Sequence, residues 1–217
     1  MAVRLLIADD HDVVRHGVRA LLETEPGWTV CGEAVNGRQA VEVAVRTTPD
    51  IAILDVSMPE LNGFEATRQI RKALPACEVL IFTMHESEEV LREALAAGAR
   101  GYVLKSDAGR TLLAAVDALR QHKSFLTPAA AEMVIADYRR RDDSRARPEI
   151  PRLQLTPRER EVVQLLAEGK SSKGVARTLG ISAKTADTHR TNVMRKLQLH
   201  SQSELVRYAI RNNIIEA

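Results

Sequence analysis

Short runs of apolar residues recur through the first half of the chain, and most of them end directly in a polar residue. The runs are nearly continuous rather than alternating, which is the pattern of strands that are buried on both faces of a sheet. With their flanking residues they predict five strands, at Val3–Ala8, Thr29–Ala34, Ile51–Leu54, Glu78–Phe82 and Gly101–Leu104.

Amphipathic segments separate these strands and follow the last one. They predict helices at Val13–Glu23, Gly37–Arg46, Gly63–Lys72, Glu88–Ala97 and Thr111–Arg120. Strands that alternate with helices indicate the α/β class and a doubly wound parallel sheet. Five strands and five helices favour a (βα)5 fold with the flavodoxin-like strand order 2-1-3-4-5.

Polar residues at the ends of four strands are candidates for a single site. They are Asp9, Asp10, Asp55, Thr83 and Lys105. The carboxyl ends of parallel strands meet at one edge of a sheet, so these side chains should converge. Mg²⁺ binds through one or two carboxylates together with phosphate and water. We therefore expect the three aspartates to hold Mg²⁺. Asp55 is the candidate nucleophile toward a phosphoryl group, Lys105 its partner for phosphoryl oxygens, and Thr83 a hydroxyl donor.

The second half of the chain has a different pattern. Residues 128–141 predict a helix, and residues 142–151 are charged, contain prolines and lack apolar periodicity, as linkers do. From Thr156 onward the pattern is helical throughout, beginning with a capping box at Thr156 and Glu159. Three further helices are predicted at 171–179, from Ser182 to about Leu197, and at 203–211. We expect a first domain at 1–123, a linker at 124–152 and a small all-α domain at 153–217.

Two of these helices, joined by a tight corner at Gly180, form a predicted helix-turn-helix, whose second helix enters the major groove of DNA. Ala186, Val193 and Leu197 should pack inward from that second helix. Its opposite face carries the candidates for contact with bases, and nearby cations can neutralise phosphates. Together these residues are Lys173, Lys184, Asp187, Thr188, Arg190, Thr191 and Arg195. Asp187 is unexpected on a DNA face and can accept from cytosine or repel wrong sites.

Charge is distributed unevenly between the two parts. Residues 1–123 contain 14 Lys and Arg against 18 Asp and Glu, a net charge of −4, whereas residues 152–217 contain 12 against 6, a net charge of +6. Only the second part is therefore expected to bind a polyanion. Cys31 and Cys77 lack metal or redox spacing, and no apolar run is long enough to span a membrane. A cytoplasmic protein without membrane contact is expected.

The first part resembles the receiver domain of bacterial response regulators. The resemblance rests on Asp9-Asp10, on Asp55 with Met58-Pro59 and Gly63, on Thr83, and on the run from Gly101 to Lys105. It implies a partner sensor histidine kinase, Asp55 as phospho-acceptor, Lys105 as phosphate partner, and Thr83 with Tyr102 as a switch pair. It also implies Mg²⁺ held by Asp9, Asp10, Asp55 and the Ser57 backbone carbonyl.

Two positions depart from the usual receiver pattern. Ser106 follows Lys105 where many receivers have proline, so a cis-proline there is excluded. Met84 follows Thr83 where alanine is common, and its bulk is expected to narrow the entrance to the site and slow phosphoryl exchange. Two histidines, His11 and His85, lie near the predicted site without metal spacing, and solvated or capping roles are expected for them.

Residues 153–214 resemble the LuxR-type DNA-binding domain, through the segments Leu155–Val162 and Leu165–Ser171 and the pairs Lys184-Thr185 and His189-Arg190. The whole chain thus resembles NarL/FixJ-type response regulators. That resemblance adds Thr185 and His189 to the DNA-binding candidates and implies that the unphosphorylated receiver covers the DNA-binding helix. A dimer on two half-sites of an operator is also expected, with a dimer surface on the last helix at Leu205, Tyr208 and Ala209. Departures from the usual pattern are Ser172, Gly174, Ala186 and Gln202.

Phosphorylation of Asp55 that controls DNA binding and transcription is the function these features favour. The alternatives are a regulator that works by dimerisation without phosphorylation, a phosphatase with an aspartyl-phosphate intermediate, and a sensor of acyl-homoserine lactones. The phosphatase would need an acid two positions after Asp55, where Ser57 stands. The lactone sensor would need an aromatic-lined pocket, whereas the chain has one Trp, three Tyr and three Phe. We therefore expect a regulator rather than an enzyme.

Overall fold

A computed structural model describes residues 2–143 and 155–215 of the 217-residue chain. Most of the predicted linker at 142–151 lies outside the described residues. Among those described, no helix is both long enough and apolar enough to span a membrane.

The first part is an α/β domain built on a parallel sheet. Its strand order is β2-β1-β3-β4-β5-β6, so the predicted order 2-1-3-4-5 is confirmed and one strand is added at the edge. The strands are β1 (Val3–Ala8), β2 (Trp28–Ala34), β3 (Ile51–Leu54), β4 (Glu78–Thr83), β5 (Gly101–Leu104) and β6 (Phe125–Leu126). The sixth strand was missed because two residues are too few to produce a periodic pattern.

Five helices cover the two faces of the sheet, at the positions predicted to within two residues. They are α1 (Asp12–Leu22), α2 (Gly37–Thr47), α3 (Gly63–Ala73), α4 (Glu88–Ala97) and α5 (Arg110–Arg120). Successive residues of a strand point to opposite faces. Leu6 accordingly packs in a core that includes residues of α2, α3 and α4, whereas Leu5 packs in a second core that includes residues of α1 and α5.

Glycine at the start of α3 permits a close backbone approach that helps to shape the site. A Cβ on Gly63 would lie 2.0 Å from the carbonyl oxygen of Asp55, far inside van der Waals contact. The Gly63 N–H donates to the carbonyl of Val56. The segment from Val56 to Asn62, which we name the acceptor loop, therefore returns directly beneath the end of β3.

The second part is a bundle of short helices with its own core. Its helices are α7 (Pro157–Ala167), α8 (Ser172–Leu179), α9 (Ala183–Lys196) and α10 (Gln202–Arg211). The preceding helix, α6 (Pro128–Asp143), packs on the first part instead, where Ala130 is buried in the core that includes residues of α2, α3 and α4. The predicted capping box is present: the Glu159 N–H donates to the Thr156 hydroxyl, and the Glu159 carboxylate accepts from the Thr156 N–H. Gly180 ends α8 at a φ of +63°, a conformation that favours glycine.

Helices α7 to α10 bury one shared apolar core. Ala186 and Val193 point into it, and Leu197 packs against it, as predicted. Leu205 and Ala209 of α10 are also in this core, at 0% exposure. Two of the three residues expected on a dimer surface therefore face the bundle interior, and only Tyr208 stays partly accessible.

Candidate functional site

Two aspartates and a lysine form the centre of the site at the carboxyl edge of the sheet. Asp9 follows β1 and is 2% exposed, and Asp55 follows β3 and is 4% exposed. The Lys105 ammonium, after β5, lies 2.7 Å from Asp9 Oδ2 and 2.9 Å from Asp55 Oδ2. The structure thus brings together side chains from three strands at one edge of the sheet, where β1 and β3 are neighbours and β4 separates β3 from β5.

Asp10 completes a set of oxygen donors around this centre. Ligand atoms of Asp9, Asp10, His11 and Asp55 all lie within 4.8 Å of one another. Asp10 is exposed, so it faces the entrance rather than the core. His11 Nδ1 is 2.8 Å from Asp10 Oδ1, and the His11 N–H donates to Asp9 at 2.9 Å. His11 is solvent-exposed, but its ring nitrogen contacts Asp10, so the purely solvated role expected for it is incomplete.

Burial governs the protonation of the two central groups. Removal from water raises the pKa of Asp55, and the repulsion from Asp9 adds to the rise, although Lys105 and the Val56 N–H oppose it. Burial alone would lower the pKa of Lys105, but the two carboxylates outweigh it and the pKa is raised. Lys105 therefore stays positively charged. Its single charge does not balance the three carboxylates of the site.

Thr83 and Tyr102, the predicted switch pair, both contact the segment that follows β4. Thr83 is fully buried, and its hydroxyl accepts a bond from the His85 N–H at 3.3 Å. The Tyr102 hydroxyl donates to the His85 carbonyl. Tyr102 is 2% exposed, and burial raises the pKa of its phenol.

His85 does not have the solvated or capping role expected for it. Its Nε2 lies 2.8 Å from the Ser57 hydroxyl on the acceptor loop, and its backbone contacts both Thr83 and Tyr102. One residue thus connects the switch pair to the loop that follows Asp55. Sequence reasoning missed this role because a lone histidine 28 positions from Ser57 gives no spacing signal.

Arg15 is a second supporting residue that the sequence did not reveal. It is 7% exposed, and its guanidinium donates to the Asp9 carbonyl at 2.8 Å and contacts the Asp12 carboxylate. A buried arginine on the backbone of a metal-ligand candidate fixes that ligand's position. The signal available in the sequence was the position of Arg15, one turn into the helix that follows Asp9 and Asp10.

Met84 lies at the entrance. Its side chain is 68% exposed and lines an open depression together with His11, Val13 and Lys105. This position agrees with the expectation that Met84 borders the path to Asp55. Its effect on phosphoryl exchange stays a prediction.

The DNA-binding candidates form an exposed surface on and beside α9. His189 is half-buried, and the others are exposed: Lys173, Lys184, Thr185, Asp187, Thr188, Arg190, Thr191 and Arg195. The Thr188 hydroxyl donates to the Lys184 carbonyl at 2.9 Å, which leaves its methyl group and lone pairs for contacts outside the helix.

The α/β domain does not cover this surface. The hydrogen bonds and ion pairs that join the two parts run from α2, the acceptor loop, α3 and α4 to α7, to Glu168 at its end and to Lys170 beyond it. Among them, the side-chain oxygen of Gln164 on α7 accepts from the Asn62 N–H at 2.8 Å, and its side-chain nitrogen donates to the Met58 carbonyl at 2.9 Å. The expectation that the receiver covers the DNA-binding helix is therefore wrong for this arrangement. The reason is that polar side chains of α7 match the acceptor loop, whereas the α9 cations remain in water.

Comparison with known families assigns both parts. Residues 5–117 match the response regulator receiver domain, and residues 153–209 match the bacterial regulatory proteins of the luxR family. The chain belongs to the response regulators that combine a receiver with a LuxR-type DNA-binding domain.

Relatives of known name match this chain over nearly their whole length. The oxygen regulatory protein NreC of Staphylococcus epidermidis is 34% identical over 99% of this chain and 100% of its own. The transcriptional regulatory protein LiaR of Bacillus subtilis is 33% identical over 98% and 99%. Among solved structures, RcsB of Salmonella enterica serovar Typhimurium, bound to promoter rprA in the presence of phosphomimetic BeF3−, has a TM-score of 0.60 at 25% identity, over 96% of this chain and 98% of its own.

Proposed function

We propose that a partner histidine kinase phosphorylates Asp55 in a Mg²⁺-dependent reaction, and that the phosphorylated chain binds operator DNA and controls transcription. The observation that carries the proposal is the buried pair Asp9 and Asp55 joined through Lys105, with Asp10 at the entrance.

The donor set fits a hard divalent cation. Three carboxylates face one ammonium, so the site holds two negative charges in excess, and two of the three carboxylates are buried. Burial of uncompensated charge is costly unless a cation completes the site. Asp9, Asp10, Asp55 and the Ser57 carbonyl would hold Mg²⁺, whose positive charge lowers the barrier to phosphoryl transfer when it is bound.

The protein's own groups have defined parts in the transfer. A carboxylate oxygen of Asp55 forms a bond to phosphorus as the phosphorus–nitrogen bond of a phosphohistidine breaks, and the histidine nitrogen leaves with the electron pair. The Val56 N–H holds Asp55 Oδ1 at 2.7 Å, which limits rotation of the carboxylate. Lys105 is charged and close enough to turn from Asp9 to a phosphoryl oxygen.

The switch follows from the added charge. A phosphoryl group brings close to two negative charges, and Thr83, at the end of the neighbouring strand β4, has a buried hydroxyl that can turn toward it. That turn removes the acceptor of the His85 N–H, so the segment joined to Tyr102 rearranges. A two-state receiver biased in this way fits the general logic of phosphorylation switches.

Control of DNA binding is assigned to α9 and its surroundings. We propose Lys184, Thr185, Asp187, Thr188, His189, Thr191 and Arg195 as groove residues, with Lys173 and Arg190 on phosphates. A domain of this size covers little DNA, which favours a homodimer on two half-sites.

The divisions at 1–123, 124–152 and 153–217 belong to the proposal, supported by the family matches at 5–117 and 153–209. So does a cytoplasmic location, where both cysteines would stay free.

One experiment tests the whole proposal. The full chain is incubated with acetyl phosphate, with and without Mg²⁺, and phosphorylated Asp55 is quantified by phosphate-affinity gel and mass spectrometry. Footprinting on genomic fragments then measures DNA binding by the same samples. We expect Mg²⁺-dependent labelling and tighter, sequence-specific protection, both lost in Asp55→Asn.

Two outcomes would contradict the proposal. Equal footprints with and without label would favour the alternative of dimerisation without phosphorylation. Sustained turnover of a phosphomonoester would favour a phosphatase, for which the position two residues after Asp55 offers the hydroxyl of Ser57, in contact with His85, rather than a carboxylate.

A further inference from the structure

Arg15, on α1, is a buried cation that contacts the backbone of the acid site. Its Nη1 donates to the Asp9 carbonyl at 2.8 Å. Strand β1 ends at Ala8, whose carbonyl accepts from the Asp55 N–H at 2.8 Å, so the Asp9 carbonyl is the first one beyond the paired strand. Arg15 therefore supplies a donor at the point where the sheet ends.

The carbonyl that Arg15 holds belongs to the peptide unit between Asp9 and Asp10. A peptide unit is planar, so a fixed carbonyl also fixes the direction in which the chain continues to Asp10. The Asp9 carboxylate is held separately, by the His11 N–H at 2.9 Å and the Lys105 ammonium at 2.7 Å. One hydrogen bond from α1 thus controls how two of the three carboxylates expected to hold Mg²⁺ lie relative to each other.

The charge of Arg15 is cancelled by its neighbours. Its Nη2 contacts the Asp12 carboxylate, and its Nε lies 3.7 Å from a carboxylate oxygen of Glu33 on β2. Arg19, one turn further along α1, pairs with the same Glu33 at 2.6 Å. Two arginines and two carboxylates carry no net charge together, so the influence of Arg15 on a cation in the acid site is chiefly geometric.

The three contacts of Arg15 need the shape of a guanidinium. This group is planar and presents its donors in a rigid fork, whereas a lysine offers one compact ammonium on a flexible stem. The fork lets Arg15 reach the Asp9 backbone while Asp12 and Glu33 hold it on the other sides. A lysine at this position cannot make all three contacts at once.

Rigid ligands and mobile ligands favour different divalent cations. Mg²⁺ requires near-ideal octahedral geometry with oxygens at about 2.0–2.1 Å, whereas Ca²⁺ accepts about six to eight oxygens at about 2.3–2.6 Å in flexible arrangements. Asp9 and Asp55 are buried and confined, but Asp10 is exposed at the entrance. The freedom of Asp10 to move outward therefore sets how well the site adapts to the larger ion.

We propose that Arg15 is a positioning residue that makes the acid site selective for Mg²⁺ over Ca²⁺, by holding the peptide unit between Asp9 and Asp10. The inference rests on the proposed function, which supplies the divalent cation. The aspartates bind the ion, and Arg15 limits how far they can spread around it. Loss of the bond to the Asp9 carbonyl weakens the binding of Mg²⁺ more than that of Ca²⁺.

The test compares full-length variants by calorimetric titration with MgCl2 or CaCl2 at constant ionic strength, without a phosphoryl donor. Arg15→Lys keeps the charge and loses the fork, and Arg15→Ala removes both. Arg19→Ala is the matched control, because Arg19 lies on the same helix and its bonds go to Glu23 and Glu33. Circular dichroism reports folding.

We expect the unaltered chain to bind Mg²⁺ more tightly than Ca²⁺. Both Arg15 variants should lose about tenfold in affinity for Mg²⁺ and less for Ca²⁺, so the ratio of the two dissociation constants shifts toward Ca²⁺. Arg19→Ala should keep both affinities. Asp12→Asn, at an exposed position, weakens one contact of Arg15 and should produce a smaller shift in the same direction.

Equal affinities of the unaltered chain for the two ions would overturn the inference, as would Arg15 variants that bind Mg²⁺ as tightly as Arg19→Ala. Losses of the same size for both ions would also overturn it, because they would show that Arg15 supports the fold and not the choice of ion. If the Arg15 variants lose helical signal, Asp12→Asn decides by the same criteria. Labelling of Asp55 that does not depend on Mg²⁺ would instead contradict the proposed function, so the two failures are distinguishable.

Discussion

The acid site and the DNA-binding surface use charge in opposite ways. Asp9 and Asp55 are buried, and the partly buried Lys105 ammonium contacts both carboxylates at 2.7 and 2.9 Å, so a change in the charge of one group acts directly on the others. The cations around α9 are exposed and act through the ionic atmosphere of DNA. The comparison teaches that a buried group of charges can act as a switch, because one added phosphoryl group alters the interactions of every charged side chain in the group. Exposed cations such as those around α9 instead give an affinity for DNA that changes gradually with salt concentration.

A lysine-to-methionine substitution should differ most between the two regions in its effect on the free energy of unfolding. Lys105→Met leaves two buried carboxylates without their cation, which should cost about 3–5 kcal/mol of unfolding free energy. Lys184→Met, on the exposed surface of α9, should stay within ~0.5 kcal/mol. Urea unfolding without divalent cations measures both. Equal losses would abolish the distinction, and partial recovery of Lys105→Met on addition of Mg²⁺ would sharpen it.

Asp55→Asn should stabilise the metal-free protein by about 1 kcal/mol, or ~2–4 °C in melting temperature. The folded state raises the pKa of Asp55 above its ordinary 3.8. It therefore holds the proton to higher pH than the unfolded chain, and stability is lost as pH rises through that window.

The gain from Asp55→Asn should accordingly grow from acid to neutral pH and then level off. Melting curves across this range measure it, with Asp187→Asn on the exposed surface of α9 as the control. If the stability difference between Asp55→Asn and the unaltered chain does not depend on pH, the substitution does not act by removing the cost of the Asp55 charge.

The exposed DNA-binding surface around α9 is tested by how its affinity for DNA depends on salt concentration. Lys184→Ala should weaken binding to all DNA sequences by about 1 kcal/mol and reduce the slope of log affinity against log salt by ~0.9. Anisotropy titrations at several salt concentrations measure this, and Lys123→Ala, in the receiver, should leave the slope unchanged. A slope that Lys184→Ala does not alter would remove Lys184 from the phosphate contacts.

Gly174 tests the tolerance of the DNA-binding domain. A methyl side chain has room at this position, since a Cβ would contact Lys170 Cβ at an ordinary 3.4 Å. Gly174→Ala should therefore stabilise α8 by about 0.5–1 kcal/mol. The same change at Gly180, where φ is +63°, should destabilise the protein. Thermal unfolding of both variants decides, and a loss in Gly174→Ala would show that the helix needs a glycine there.

Met84→Ala should have the smallest effect. Opening the entrance should shorten the dephosphorylation half-life of Asp55 by about twofold, or ~0.4 kcal/mol in the barrier. The rate at which phosphorylated Asp55 disappears after removal of acetyl phosphate measures this half-life. The control is Val13→Ala, since Val13 lines the same depression but is farther from Thr83 along the chain. An unchanged half-life would show that Met84 does not limit access.

Sequence patterns predicted most of the fold because the governing interactions are local or periodic. Strands β1, β3 and β5 have the predicted bounds, since their runs are apolar on both faces. The grouping of Asp9, Asp10, Asp55 and Lys105 was predictable for the same reason: in a parallel sheet, residues that follow the strands lie at one edge. The roles of His85 and Gln164 were not predictable, because each depends on a partner far along the chain that no spacing rule selects.

The sequence by itself determined the two domain types, the acidic site and the basic helix, because apolar periodicity and strand-end chemistry are written in consecutive residues. Only the tertiary structure decided that α7 rather than α9 meets the receiver, and that the Gln164 amide pairs with the backbone of the acceptor loop. Such pairing depends on donor and acceptor positions within a few tenths of an ångström across 102 residues of separation. That precision comes from packing, which no linear pattern encodes.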